Sequence, residues 1–302
     1  MTRPPHHHGG ACAEHTSRTG CQDIVLFRMG PNSWMVVHGG GAGHELLVSA
    51  ATGRNCALLF DDDLHDLSLQ GPNAVEVLAK AGVPGIRDLP YFGHMHAVLF
   101  GAPVLISRTG YTGERGYEIF VKASDAVTVW DGVLDTGKEF GCIPCGFTAL
   151  DLLRVESYLL FYPFDMSETY PFEDGSPPGD SLWELGLTFT VTKGKKNFKG
   201  AEAHRRLEGK ERFRIFGVDL GDTPAPGYGD IITDSSGAKV GVVTAPMRSS
   251  LTKKAMAIAR LTLATAVQGT KLTVHTAAGP VPAMAHTLPF DDPKKLKRTA
   301  KG

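Results

Sequence analysis

Apolar positions along this chain recur in short runs broken by Gly, Pro, Asn and Asp. Val25 to Met29 and Trp34 to Val37 predict two strands, joined by a turn over Gly30, Pro31, Asn32 and Ser33. A glycine-rich turn from Gly39 leads into a helix over His44 to Ala51. Leu67 to Leu69 predicts a short strand, and Pro72 sits where its missing N–H is harmless, at the start of a helix to about Ala81. His96 to Phe100 and Val104 to Arg108 predict strands across a Gly101, Ala102, Pro103 turn. Ser124 and Asp125 are capping residues for a helix ending near Gly137, and Phe147 to Leu159 predicts another helix. Strands punctuated by helices without a regular βαβ repeat indicate an α+β fold.

From about Arg212 the texture changes. Ile215–Val218, Val240–Thr244, Ala255–Ala259 and Leu272–Val274 are short apolar runs separated by Gly, Asp, Pro and Ser. That spacing predicts an all-β domain, a sandwich or a barrel. The organisation read from the sequence is a disordered leader over 1–20, an α+β region over 21–211, a β-barrel domain over 212–290 and a basic tail over 291–302. The tail carries Lys294, Lys295, Lys297, Arg298 and Lys301, a solvated end or a weak anion-binding surface.

Composition narrows the classes. The 302 residues hold 31 basic and 32 acidic side chains, so no global field favours nucleic acid or an anionic membrane. Hydrophobic residues make up 42%, as in an ordinary globular core. No apolar run approaches the roughly 20 residues of a membrane span. The start, MTRPPHHHGGACAEH, has no apolar signal region, and an odd count of 5 cysteines suggests a reducing compartment. The expectation is a cytoplasmic protein without nucleic-acid or membrane partners. Cys142 and Cys145 form a lone CxxC in a loop before a helix, read as incidental thiols rather than a metal site. His6, His7 and His8 fall in the leader, and no resident metal is expected.

The richest segment is Ser107 to Val121, SRTGYTGERGYEIFV. Gly110, Gly113 and Gly116 allow a tight turn between two strands, which sets the Tyr111 ring and the Glu118 carboxylate seven residues apart. A flat ring and a fixed carboxylate suit a flat, hydrogen-bonding ligand, although an ordinary hairpin has the same letters. The segment resembles the RTGYTGE-x-G-x-E-I signature of the tetrahydrofolate-dependent aminomethyltransferases, the family of the glycine cleavage T protein. QDIVLFRM from Gln22, LSLQGPNAVEVL from Leu67, ALDLLRVE from Ala149, Asp165-Met166, ELGL from Glu184, NFKGAEA from Asn197 and VTAPMRSSLTKKAMAIA from Val243 continue the likeness in the same order.

The resemblance implies roles. Asp23 falls at the family's catalytic aspartate, placed to accept a proton or stabilise positive charge at a reacting amine. Glu118 and Tyr111 fall at folate contacts, the carboxylate on the pterin N–H edge and the ring packed on it. His38 stands where the T protein commonly has asparagine, as a hydrogen-bonding group or a catalytic proton relay. Arg154 counts with the cofactor-binding residues and, with Glu156, reads as a helix-stabilising pair beside the site. Leu150 replaces an arginine of the T protein. An apparent insertion, TYPFEDGSPPGDS from Thr169, reads as a spacer loop or a substrate-side lid. About twenty unpatterned residues stand where the family has a substantial N-terminal block, so a truncated chain is expected.

The implied activity is an aminomethyl or methyl transfer to tetrahydrofolate from a small-molecule donor or a lipoyl-carrier protein. The alternatives are a folate-dependent demethylase of methyl-ether or methyl-sulfonium substrates, and a folate-binding protein without transferase activity.

Overall fold

The structure is a computed structural model, which describes residues 11–12, 21–22, 24–38, 43–176 and 178–300. The leader's other residues, Asp23 and the turn at Gly39 lie outside them. The chain forms two compact units, Ala57–Leu159 with residues 291–300, and Leu160–Phe290 with the segment preceding Ala57.

In chain order, β1 (Ala11–Cys12) pairs with β2 (Cys21–Gln22). Strands β3 (Ile24–Gly30) and β4 (Ser33–His38) form an antiparallel hairpin with Ile24 opposite His38. Arg28 lies over the Trp34 ring at 5.6 Å, a cation–π contact that supports the pairing. Helix α1 (Gly43–Ala51) follows.

The first unit is built on β5 (Leu64–Gln70), β6 (His94–Leu99), β7 (Ala102–Ser107) and β8 (Gly116–Lys122), an antiparallel sheet in the order β5-β8-β7-β6. Period-two alternation sends Leu69, Ile106, Tyr117 and Ile119 to one face. There they pack with Val77 and Leu78 of α2 (Ala74–Lys80) and Val129 of α3 (Ala123–Gly137). Each fully buried large side chain contributes about 1.5–3 kcal/mol. Helix α4 (Phe147–Glu156) follows.

Three local readings need correction. The β6–β7 turn is tighter than the sequence suggests, because Ala102 and Pro103 already pair in β7. Helix α3 starts at Ala123 behind Lys122 without a side-chain cap, so Ser124 and Asp125 lie inside its first turn. The basic tail is not a solvated end. It forms the short α7 (Leu296–Thr299), and Lys297 is ion-paired to Glu114 and Asp291 at 2.9 and 2.6 Å.

In the second unit, α5 (Leu182–Leu185) and α6 (Ala201–Arg206) precede six strands. These are β9 (Arg214–Gly221), β10 (Ile231–Thr233), β11 (Lys239–Arg248), β12 (Ala255–Leu261), β13 (Lys271–Thr276) and β14 (Gly279–His286). They close into an antiparallel barrel, β10-β11-β12-β9-β14-β13. The expected α+β class and the barrel are therefore observed. Closure leaves no strand edge to aggregate. Every residue of β12 is buried. Ala255, Ala257 and Ala259 fill the narrow interior, while Arg260 points the other way and is ion-paired to Asp180.

That pair ties the insertion from Thr169 to the barrel. Asp180 accepts from both Arg260 nitrogens at 3.2 Å and from the Ser167 amide at 2.8 Å. Phe172 and Phe213 flank the same guanidinium at 5.3 and 3.6 Å. The insertion plugs the outside of the barrel wall with a desolvated ion pair.

Candidate functional site

The glycine turn of the first unit takes its shape from a partner far earlier in the chain. Gln70, at the end of β5, is opposite Gly116 in register. Its amide nitrogen donates to Ser68 Oγ at 3.0 Å and to the carbonyls of Thr109 and Tyr117 at 3.3 Å each. Its oxygen accepts from Thr112 at 3.2 Å. A Cβ on Gly110 or Gly116 would collide with this side chain. Gly113 has φ +76 and abuts Ser157, whose hydroxyl donates to the Thr112 carbonyl at 2.8 Å. The turn is thereby held from β5 on one side and from the end of α4 on the other.

The sheet face opposite the helices carries the chemistry. Glu118 lies between Ser68 of β5 and Ser107 of β7 in register. Thr109 donates its hydroxyl to Glu118 Oε2, and the buried Ser107 hydroxyl bonds Thr109 Oγ1 in turn. Among the described residues, Oε1 of Glu118 has no hydrogen bond from the protein. Burial pushes the Glu118 carboxyl above its ordinary range, and the Thr109 hydroxyl opposes that shift. Asp66 lies two residues from Ser68 on the same face. Its carboxyl is pushed up to about 7, first by desolvation and then by the nearby Glu118 charge. This face carries two carboxyl groups whose ionisation burial disfavours, an arrangement chemically able to accept N–H donors or share a proton.

Tyr111 and Arg154 converge on one backbone atom. The Tyr111 hydroxyl donates to the Leu159 carbonyl at 3.4 Å, and Arg154 Nη1 donates to the same oxygen at 3.3 Å. Arg154 is 1% exposed, and its Nε donates to Asp151 Oδ1 at 2.8 Å, one turn earlier on α4. Leu150 is half-buried on α4, at the position where an arginine is expected from the resemblance.

The structure brings Tyr111, Glu118 and Arg154 into one unit. His38 is on β4 in the other, and its Nδ1 is buried without a hydrogen-bond partner among the described residues. Asp23 lies outside the described residues, next to Ile24, which pairs with His38. Sequence reasoning missed Gln70, Thr109, Ser107 and Asp66. The first was visible as the Q of LSLQGP, but only the register shows that it fills the glycine turn. Cys142 and Cys145 are free thiols, and burial raises Cys142. No cluster of metal-ligating side chains occurs among the described residues.

A helix-backed antiparallel sheet with a carboxylate face, joined in one chain to a closed six-stranded barrel, defines a two-unit α+β protein. Residues 16–195 match the GCVT N-terminal domain, and residues 212–292 match the glycine cleavage T-protein C-terminal barrel domain. The chain belongs to the glycine cleavage T-protein family. It is 60% identical over 280 residues to the heme-dependent oxidative N-demethylase gamma subunit of Ectopseudomonas mendocina, covering 93% of this chain and 73% of that protein. It is 32% identical to the trimethylamine-oxide aldolase of Ruegeria pomeroyi, covering 91% of this chain but only 36% of that protein. An aminomethyltransferase of Saccharopolyspora erythraea is 30% identical over 89% of this chain and 72% of its own length. The crystal structure of aminomethyltransferase T from Bartonella henselae superposes with a TM-score of 0.78 at 26% identity, over 91% of this chain and 73% of that one.

Proposed function

We propose that this protein binds tetrahydrofolate on the Glu118 face and loads it with a one-carbon unit released by oxidative N-demethylation. The observation that carries the reading is the Glu118 carboxylate, with Oε2 committed to Thr109 and Oε1 left to an outside donor. Oε1 has two lone pairs open to outside N–H donors, and the amino-pyrimidinone edge of a pterin presents adjacent N–H groups. Tyr111, tethered through Leu159, supplies a flat ring on the same glycine turn. The residues present therefore fit the cofactor.

When bound, tetrahydrofolate supplies the two nitrogens that take up the carbon. An N-methyl group removed oxidatively leaves at the oxidation level of formaldehyde. Taking up that carbon on two nitrogens would release one water and would need no further oxidant or reductant. The chain's own part is to hold the pterin, exclude water and manage protons. Asp23 and His38 are assigned the proton-handling roles, Glu118 and Tyr111 hold the ring system, and Arg154 positions Tyr111. The identity with an N-demethylase subunit supports a demethylase partner rather than a lipoyl carrier, as does leucine at position 150.

Anaerobic calorimetric titration with tetrahydrofolate tests the reading. Saturable binding is expected, weakened at least about tenfold in Glu118→Ala, the loss of a charge-assisted hydrogen-bond pair. Formaldehyde added to the loaded protein should give 5,10-methylene-tetrahydrofolate faster than the same mixture without protein. A folded protein that binds no tetrahydrofolate refutes the assignment.

A further inference from the structure

The contacts of the basic tail converge on the ligand turn. Lys297 Nζ bridges Glu114 of the turn and Asp291 of the tail at 2.9 and 2.6 Å. Those two carboxylates push the Lys297 ammonium above its ordinary range. At the front of the same turn is Arg108, 4% exposed. Its guanidinium donates to the Leu89 carbonyl at 3.0 Å, to the Arg298 carbonyl at 3.3 Å and to the Ala300 carbonyl. These last two are end-of-helix carbonyls of α7, which no amide of the helix can satisfy. At the back, the Asp291 amide donates to the Glu156 carbonyl at 3.3 Å, next to Ser157, the support of Gly113.

The tail thus grips the turn at Arg108 and Glu114, and grips the end of α4 on which the turn rests. A segment with three glycines has a large conformational entropy, and a ligand that needs its ordered form must offset that ordering. Anchors on both sides of Tyr111 remove much of the cost before binding.

We infer that Lys297 is a positioning residue for the ligand site, which orders the Tyr111 turn by bridging Glu114 to the C-terminal segment. The inference rests on the proposed folate reading for its ligand but not for its mechanics. Lys297 touches no pterin atom in this scheme and acts through the turn.

Full-length Lys297→Met and Lys297→Arg proteins test it with two readouts. The first is amide hydrogen exchange without ligand. Lys297→Met should accelerate exchange at residues 110–114 several-fold and leave the β7 and β8 core unchanged, and Lys297→Arg should restore protection. The second is tetrahydrofolate affinity, expected to weaken about threefold to fivefold in Lys297→Met and to recover toward the parent in Lys297→Arg, the size expected of a partly exposed ion pair. Unchanged exchange at the turn overturns the inference. So does a uniform rise across the whole unit with a lowered melting temperature, the signature of a merely structural tail. If turn exchange responds while the parent binds no tetrahydrofolate, the positioning role stands and the folate reading falls.

Discussion

The side chain of Gln70 fills the space that a Cβ on Gly116 would occupy. The two residues are directly opposite in the β5–β8 ladder, and the Gln70 amide can make room only by giving up its bonds to Thr109, Tyr117 and Thr112. Gly116→Ala should therefore destabilise the first unit by about 2 kcal/mol, within the usual range for overpacking a filled site. Gln70→Ala should also destabilise, since it strips a donor from the Thr109 and Tyr117 carbonyls. The double variant should cost less than the sum, because removing the Gln70 side chain vacates the volume that the new methyl group needs. Urea unfolding of the four proteins gives the cycle, and strict additivity would contradict the interlock.

In the proposed role Glu118 accepts N–H donors most strongly when ionised, and burial holds its pKa above the ordinary value. Ligand affinity is therefore full above the raised pKa and falls as pH drops through it, at higher pH than for an unburied glutamate. Glu118→Gln should bind weakly and lose most of this pH dependence. Titrations from pH 8 down to pH 5 would show it, and an identical pH profile in both proteins would remove Glu118 from the site.

Asp66 bears on stability. Its folded carboxyl titrates near 7, against 3.8 for the ordinary group. Between those values the folded state holds a proton that the unfolded chain releases, so its contribution to stability is greatest below about pH 4 and is lost as pH rises toward 7. Asp66→Asn should remove that slope and stabilise the protein at pH 8. The exposed edge of Asp66 screens the effect, so about 1 kcal/mol is expected. Thermal melts of both proteins at pH 5 and pH 8 separate this from a general substitution effect.

The Asp180–Arg260 pair makes a contrasting forecast. Asp180→Asn leaves a guanidinium that is 5% exposed without its counter-charge. Breaking a buried pair on one side costs about 3–5 kcal/mol. The barrel should unfold at lower urea while tetrahydrofolate affinity at native conditions stays within about twofold of the parent. A variant of normal stability with a raised KM would instead favour the lid reading of the insertion.

Much of this molecule was legible in its letters. Short apolar runs bounded by Gly, Pro, Asn, Asp and Ser marked β3, β4, β6, β7 and most of the barrel, because turn-forming residues end a strand and apolar ones pack it against a core. The strand-rich order with a late change of texture specified α+β followed by an all-β domain. The glycine spacing of SRTGYTGERGYE singled out Tyr111 and Glu118, since a turn with little side-chain bulk can set a ring and a carboxylate close along the chain. Two barrel strands, Ile231–Thr233 and Gly279–His286, escaped. The first is three residues long, and the second carries Pro280 and Pro282, which argue against a strand until closure supplies its partners.

Short-range steric and hydrophobic rules set the periodic elements, the family likeness and the chemistry of the turn, and all three could be read from residue order. Long-range contact settled the rest. Register placed Gln70 against Gly116 and Ser107 beside Glu118. Desolvation, which depends on what surrounds a carboxylate, raised Asp66 and Glu118. Folding back brought a lysine from position 297 to a glutamate at position 114 and turned an acidic, proline-rich insertion into the cover of a buried arginine. Charge along a chain says which side chains can pair, but the energy of pairing depends on distance and on the water removed, and both are fixed only when the chain has closed upon itself.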